Sequence, residues 1–139
     1  MTDESQSIVP PDESVLRRIH RNYYRADALR PINMAAFRPN RENDADGLSF
    51  FRESLIDAKS VAESARKPAE DYVVARLSVA HLNRLGLTVI ESEIPDLPGH
   101  CHIPELAASI YYQDKASKNR CKAILEKLTA HASKDIVYR

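Results

Sequence analysis

The hydrophobic period of this chain switches along its length, and the switching limits the fold more than any single composition value does. From Ser14 the segment SVLRRIH alternates, with Val15, Arg17 and Ile19 on one side and Leu16, Arg18 and His20 on the other, which predicts a strand. Past Phe51 the repeat lengthens. Leu55, Ala58, Val61, Ala62 and Ala65 recur at three- and four-residue steps until Pro68, which predicts a helix. YVVARLS then reads as a buried strand rich in β-branched and aromatic residues, and Ser78 is placed to cap a short helix, VAHLNRL, that Gly86 ends. LTVIESEI resumes extended structure, and the three prolines of PDLPGHCHIP leave room for one short strand at HCHI.

Two further expectations concern the stretch before Phe51. Arg30-Pro31 marks a turn, because the residue before proline is pushed toward extended geometry, and INMAAF follows as a short second strand. RENDADG has turn composition and closes a hairpin between AAFRP and LSFF. At the other end, Cys121, Ile124, Leu125, Leu128 and Ala132 share one face of a C-terminal amphipathic helix. The order of elements predicts an α+β fold: a small, mostly antiparallel sheet with two or three helices packed on it. Residues 1–13 combine acids, Ser and Pro10-Pro11 with few large apolar groups and read as a disordered acidic tail, leaving residues 14–139 as a single domain.

Composition excludes several classes. A 43% apolar and 29% charged chain with three glycines is an ordinary globular sequence. No apolar run approaches the roughly 20 residues of a membrane-spanning helix. The acidic start, MTDESQSIVPPDES, lacks the basic and apolar regions of a signal peptide, so a cytoplasmic location is expected. Cys101 and Cys121 have no Cys-x-x-Cys spacing and are expected as reduced thiols. Twenty basic residues balance twenty acidic ones, which argues against broad binding along duplex DNA; any RNA or nucleotide contact is local.

Charge is nevertheless uneven. Seven of the thirteen arginines fall between Arg17 and Arg41, where Asp27 is the only acid. Guanidinium groups stay charged and fork toward carboxylates and phosphates, so this segment points to an anionic ligand or an acidic protein surface as partner. The candidate ligand-binding residues are Arg17, Arg18, His20, Arg21, Arg25, Arg30 and Arg38, with Tyr23 and Tyr24 as stacking faces and His100 expected near His20 at the rim of the sheet. Arg17 and Arg18 point to opposite faces, so at most one of them enters a shared pocket. The alternative reading is that these arginines solvate strands or pair with distant carboxylates. The leading expectation is therefore a non-catalytic binding module with no cofactor.

Other motifs keep two alternatives open. In an extended GHCHIPE, His100 and His102 project from one face as a metal pair, with His20 or Glu105 as a third ligand; such histidines also simply bond carbonyls near turns. Cys101 lies between these histidines, but neighbouring strand residues point apart, which argues against a histidine-activated nucleophile. Glu91-Ser92-Glu93 resembles the Glu-x-Glu motif of ADP-ribosyltransferases, and an early-strand Arg or His (Arg17, Arg18 or His20) and a middle-strand Ser49 are similar to further elements of that family. The resemblance implies NAD as cofactor, its diphosphate held by the arginine, and Glu93 stabilising charge on the ribose. A solvated strand end is the other reading of the motif.

Over most of its length the chain also resembles a group of short, uncharacterised bacterial proteins. The match rests on Arg18-Ile19-His20, Ala35 to Arg38, Leu48-Ser49, Arg84 to Val89, Pro95 to His100, and Ile103-Pro104. It implies a bacterial source and one compact fold, and it carries no activity.

Overall fold

The computed structural model describes residues 7–42, 44–65, 68–92 and 98–139. Six strands, β1 (Ser14–His20), β2 (Leu48–Arg52), β3 (Tyr72–Ser78), β4 (Ile90–Glu91), β5 (His100–Ile103) and β6 (Ile136–Tyr138), form one sheet in the order β4-β5-β2-β1-β3-β6. Every pairing is antiparallel. The fold is therefore α+β, as the period switches predict. β1 is central: it pairs along all seven residues with β3 and, at Val15 and Leu16, with β2.

The alternation read from SVLRRIH divides two cores. One face carries Val15, Ile19, Leu48, Phe50, Val73, Ala75, Leu77, Cys101 and Ile103. Over it lie the short helices α2 (Val79–Arg84) and α3 (Ala108–Tyr111) and the long helix α4 (Lys115–Ala132). Cys121, Leu125, Leu128 and Ala132 of α4 are buried there, with Ile124 at the margin. The opposite face buries Leu16, Phe51 and Val74 under Val61 and Ala62 of α1 (Ala58–Glu63). Among the described residues, no helix is long and apolar enough to cross a membrane.

Local side-chain chemistry sets the helix ends. Asp57, Ser78 and Asp114 each accept from the backbone N–H three residues on, at 2.7, 3.3 and 2.7 Å. At the end of α2, Gly86 donates to the Asn83 carbonyl and Leu87 to that of Leu82, with Gly86 at φ +85°. This left-handed closure requires glycine for its backbone alone, since a Cβ there would meet nothing.

Four expectations change. The run from Leu55 to Ala65 is helical only from Ala58, because the Asp57 cap starts the helix there, and Leu55 sits in the preceding turn. INMAAF is not a strand: Ile32 makes one isolated bridge to Tyr24, and Asn33 then accepts from the Ala35 N–H at 2.8 Å and starts a 3-10 turn at Met34–Phe37. The hairpin between AAFRP and LSFF is consequently absent, and β2 pairs with β1 and β5 instead. The acidic tail does not run to residue 13. Ile8 bridges Ile90, Val9 is buried and donates to the Val89 carbonyl, and Glu91 donates to that of Ser7.

His81 of α2 and His131 of α4 stack at 3.9 Å between ring centroids, 13° from parallel, and the Ser78 N–H donates to His131 Nε2 at 3.3 Å. Burial lowers both pKa values; Arg84 and Lys134 lower them further, and only Asp135 beside His131 opposes this. A histidine with a lowered folded pKa binds fewer protons folded than unfolded, so its contribution to stability is lost as pH falls from about 6.5. His100 and His102 shift the same way. The unfolding temperature is therefore expected to drop between pH 7 and pH 5, and His81→Phe, which keeps a ring on His131 but removes one titrating group, is expected to make that drop shallower. An unchanged slope in thermal unfolding across this range would exclude the pair as a source of acid sensitivity.

Candidate anion site on the open sheet face

Arg17 and Arg18 do leave β1 on opposite faces, and their surroundings differ in kind. Arg17 is partly buried on the larger core's side. Its Nε and Nη2 donate to the Ala36 carbonyl at 3.1 and 2.9 Å, and Nη1 donates to the Ser49 carbonyl at 2.7 Å. The guanidinium lies 5.5 Å from both the Phe37 and Phe50 ring centroids, and the rings themselves are stacked. Burial pushes its pKa down to about 10 against the pull of Asp44, so it remains charged at neutral pH. Arg17 holds the 3-10 turn onto the sheet and is not placed to take a ligand, which corrects its assignment to the binding set.

Arg18 emerges beside α1. Nη1 donates to the Val61 carbonyl at 3.1 Å and to Ser64 Oγ at 2.6 Å, and the guanidinium lies 5.9 Å from the Phe51 ring and 5.7 Å from that of Tyr72. Among the described residues, Nε and Nη2 have no hydrogen-bond partner and no carboxylate pairs with the group. Its pKa is lowered by burial, only partly offset by Tyr72.

Strand register places the two histidines on either side. His20 stands opposite Tyr72 and meets its ring edge-on at 5.4 Å. His100 stands opposite Phe51 and meets it edge-on at 5.4 Å. The face thus reads His100, Phe51, Arg18, Tyr72, His20. The expected closeness of His20 and His100 is not found: they share a face, but Arg18 and two rings stand between them. His100 Nδ1 lies 2.7 Å from Ser92 Oγ and 2.9 Å from the Ser92 carbonyl. Burial holds its pKa below the ordinary value in spite of that contact. Phe51, Tyr72 and Ser92 were not among the sequence candidates. The pairing register, which sets Tyr72 opposite His20 and Phe51 opposite His100, identifies the two rings.

The remaining candidates disperse. Arg21 donates to the Glu70 carbonyl at 2.5 Å, Arg25 sits 3.9 Å from Asp27 on the surface, and Arg30 and Arg38 are exposed. The arginine-rich segment is therefore not one pocket. Ser49 shares the His102 side of the sheet, but its hydroxyl donates to Asp44 Oδ1 at 2.9 Å, where Asp44 also ties the Asn40 and Ser49 N–H groups. Glu93, the proposed ribose-stabilising residue, lies outside the described residues. Glu91 is committed to Arg52, which also holds Glu13.

His100 and His102 do project from one face, yet the third ligands proposed for them do not join them: His20 lies two strands away beyond Arg18 and Tyr72, and Glu105 accepts from the Thr88 N–H and hydroxyl. Among the described residues, no group of three or more His, Cys, Asp or Glu is arranged to hold a metal. The His102 ring covers Gly47 so closely that a Cβ there would lie 2.3 Å from it, so this glycine is demanded by space. Cys101 is buried with its pKa pushed up to about 12, leaving no thiolate for nucleophilic attack.

A cavity of about 490 Å³ lined by Leu55, Ile56, Asp57, Ser60, Glu63, Ser64 and Pro98 adjoins α1. Its two carboxylates disfavour an anion there, whereas a second cavity of about 270 Å³ lined by Arg41, Ala45, Ala108, Ser109 and Tyr112 has no acid in its lining. Arg17→Met is expected to destabilise the protein by on the order of 3 kcal/mol in urea unfolding, since it strips donors from two carbonyls, and Arg18→Met by clearly less. Equal losses would show that the two guanidinium groups play the same structural part. The chain matches no protein-family model, no curated protein and no solved structure.

Proposed function

We propose that the protein is a non-catalytic cytosolic binding module that takes a small anionic ligand at Arg18, between His20 and His100. One observation carries this reading. Three other arginines of the sheet are saturated, Arg17 by two carbonyls, Arg52 by Glu13 and Glu91, and Arg76 by Glu53 and Asp135. Arg18 alone among them keeps two donor nitrogens without a partner among the described residues, although burial already disfavours its charge. Among the described residues no buried side-chain nitrogen lacks a partner, so these two open to solvent, where an entering anion gains charge-assisted hydrogen bonds from them. The Phe51 and Tyr72 rings hold the guanidinium in place before binding, so little side-chain freedom is lost. Two buried free thiols suit a reducing compartment.

His100 gives the site a pH response. Protonation of His100 below its lowered pKa adds positive charge beside Arg18, so affinity is expected to rise on acidification. Thermal-shift and NMR titrations with inorganic phosphate, citrate, AMP and NAD form the direct test, and NAD belongs in the panel because it carries a diphosphate. The expected result is a salt-sensitive ligand whose affinity falls at least tenfold in Arg18→Gln and less in Arg18→Lys. Binding that is equal in Arg18→Gln, or no response to any anion of the panel, would overturn the proposal. Nicotinamide release from NAD would replace it with an enzymatic one.

A further inference from the structure

We infer that the loop from Tyr23 to Asn33 is a docking finger for a protein partner that presents an apolar pocket rimmed by carboxylates. The finger is closed at its base by backbone bonds: Asn33 donates to the Tyr23 carbonyl at 2.8 Å, Arg25 to that of Pro31 at 2.7 Å, and Tyr24 bridges Ile32. Ile32 is buried, and its N–H donates to Ser133 Oγ just past α4 at 3.3 Å, which anchors the base to the body of the domain. Inside the loop, Ala28 donates to the Arg25 carbonyl at 3.1 Å and turns the tip.

What this anchored tip displays is Leu29, at 108% relative exposure the most open large apolar side chain among the described residues. A single exposed leucine is unremarkable by itself. Here it stands at the end of a braced loop between Arg25 and Arg30, both exposed, with Arg21 and the half-exposed Tyr23 at the base. The only acid, Asp27, lies 3.9 Å from Arg25 with both side chains about four-fifths exposed, a pair too wet to neutralise the tip.

The combination selects the kind of partner. A nucleic-acid backbone would satisfy the arginines but offers Leu29 no dry pocket and would face Asp27. A membrane surface needs more apolar area than one leucine supplies. A protein pocket with an acidic rim uses the leucine as anchor and the arginines for orientation and encounter. This surface is independent of the anion site, because Arg18 lies on the sheet face.

The test replaces Leu29 with a photo-crosslinking phenylalanine analogue in cells that make the protein, with the same analogue at exposed Lys122 of α4 as control. Any captured protein is purified and titrated against the unmodified chain. The expected result is a nuclease-resistant protein adduct at position 29 and not at 122, whose Kd rises at least tenfold in Leu29→Asp and in the double variant Arg25→Glu, Arg30→Glu, with unfolding temperatures unchanged, and stays the same in Arg18→Gln. No adduct specific to position 29, an adduct of nucleic acid or lipid, or a purified pair indifferent to both finger variants would overturn the inference.

Discussion

The three donations from Arg17 to the carbonyls of Ala36 and Ser49 are what the larger core is built around. A guanidinium in the middle of an otherwise apolar strand face is costly unless its donors are met, and among the described residues no carboxylate bonds to it, Asp44 acting only through its field. Backbone carbonyls do, from a 3-10 turn and from a neighbouring strand, while Phe37 and Phe50 occupy its faces. Meeting those donors places Phe37 and Ala36 over the sheet, and α4 packs against the same turn. The Met34–Phe37 turn is thus held onto the sheet by a side chain rather than by strand pairing, while Ser133 and Asp44 tie the chain on either side of it.

Much of the fold was legible. The alternation in SVLRRIH and YVVARLS, the cap at Ser78, the strand HCHI and the final helix all follow from periodicity and local chemistry, because in each case the local preference and the tertiary burial agree. INMAAF was misjudged where they compete: its apolar alternation suits a strand, but Asn33 bonds its own backbone and the Arg17 donors claim the Ala36 carbonyl. β6 escapes such a reading because three residues give no usable period, and its place is set by pairing with β3, far away in sequence. The candidate site was half visible. Periodicity places Arg18 and His20 on one face, but nothing in the sequence says that Phe51 and Tyr72 stand beside them or that Arg17 is already consumed.

The arginines show how one residue type does several jobs in a chain of zero net charge. Arg52 and Arg76 join distant segments through carboxylates: Glu13 and Glu91 in one case, Glu53 and Asp135 in the other. Arg17 answers carbonyls. Arg25 and Arg30 remain in water. The clustering seen in the sequence between Arg17 and Arg41 is therefore not a single electrostatic feature. It reflects a strand that needs two opposite-facing guanidinium groups, followed by a loop that carries its charges outward.

The short pairing of Ser7 to Val9 along β4 has a consequence for assembly. A sheet of this kind has two rims, each offering unpaired amide and carbonyl groups that a second chain can use as a template. At one rim the chain's own beginning occupies the β4 groups through Val9 and Ser7. At the other, β6 is only three residues long and its register against β3 is broken between Val74 and Ala75. Removal of residues up to Pro10 would uncover the Val89 carbonyl and the Glu91 amide together with the apolar groove vacated by Val9, and so turn a guarded rim into an adhesive one. Residues 7–9, which look dispensable in the sequence, are thus what covers the β4 rim of the sheet.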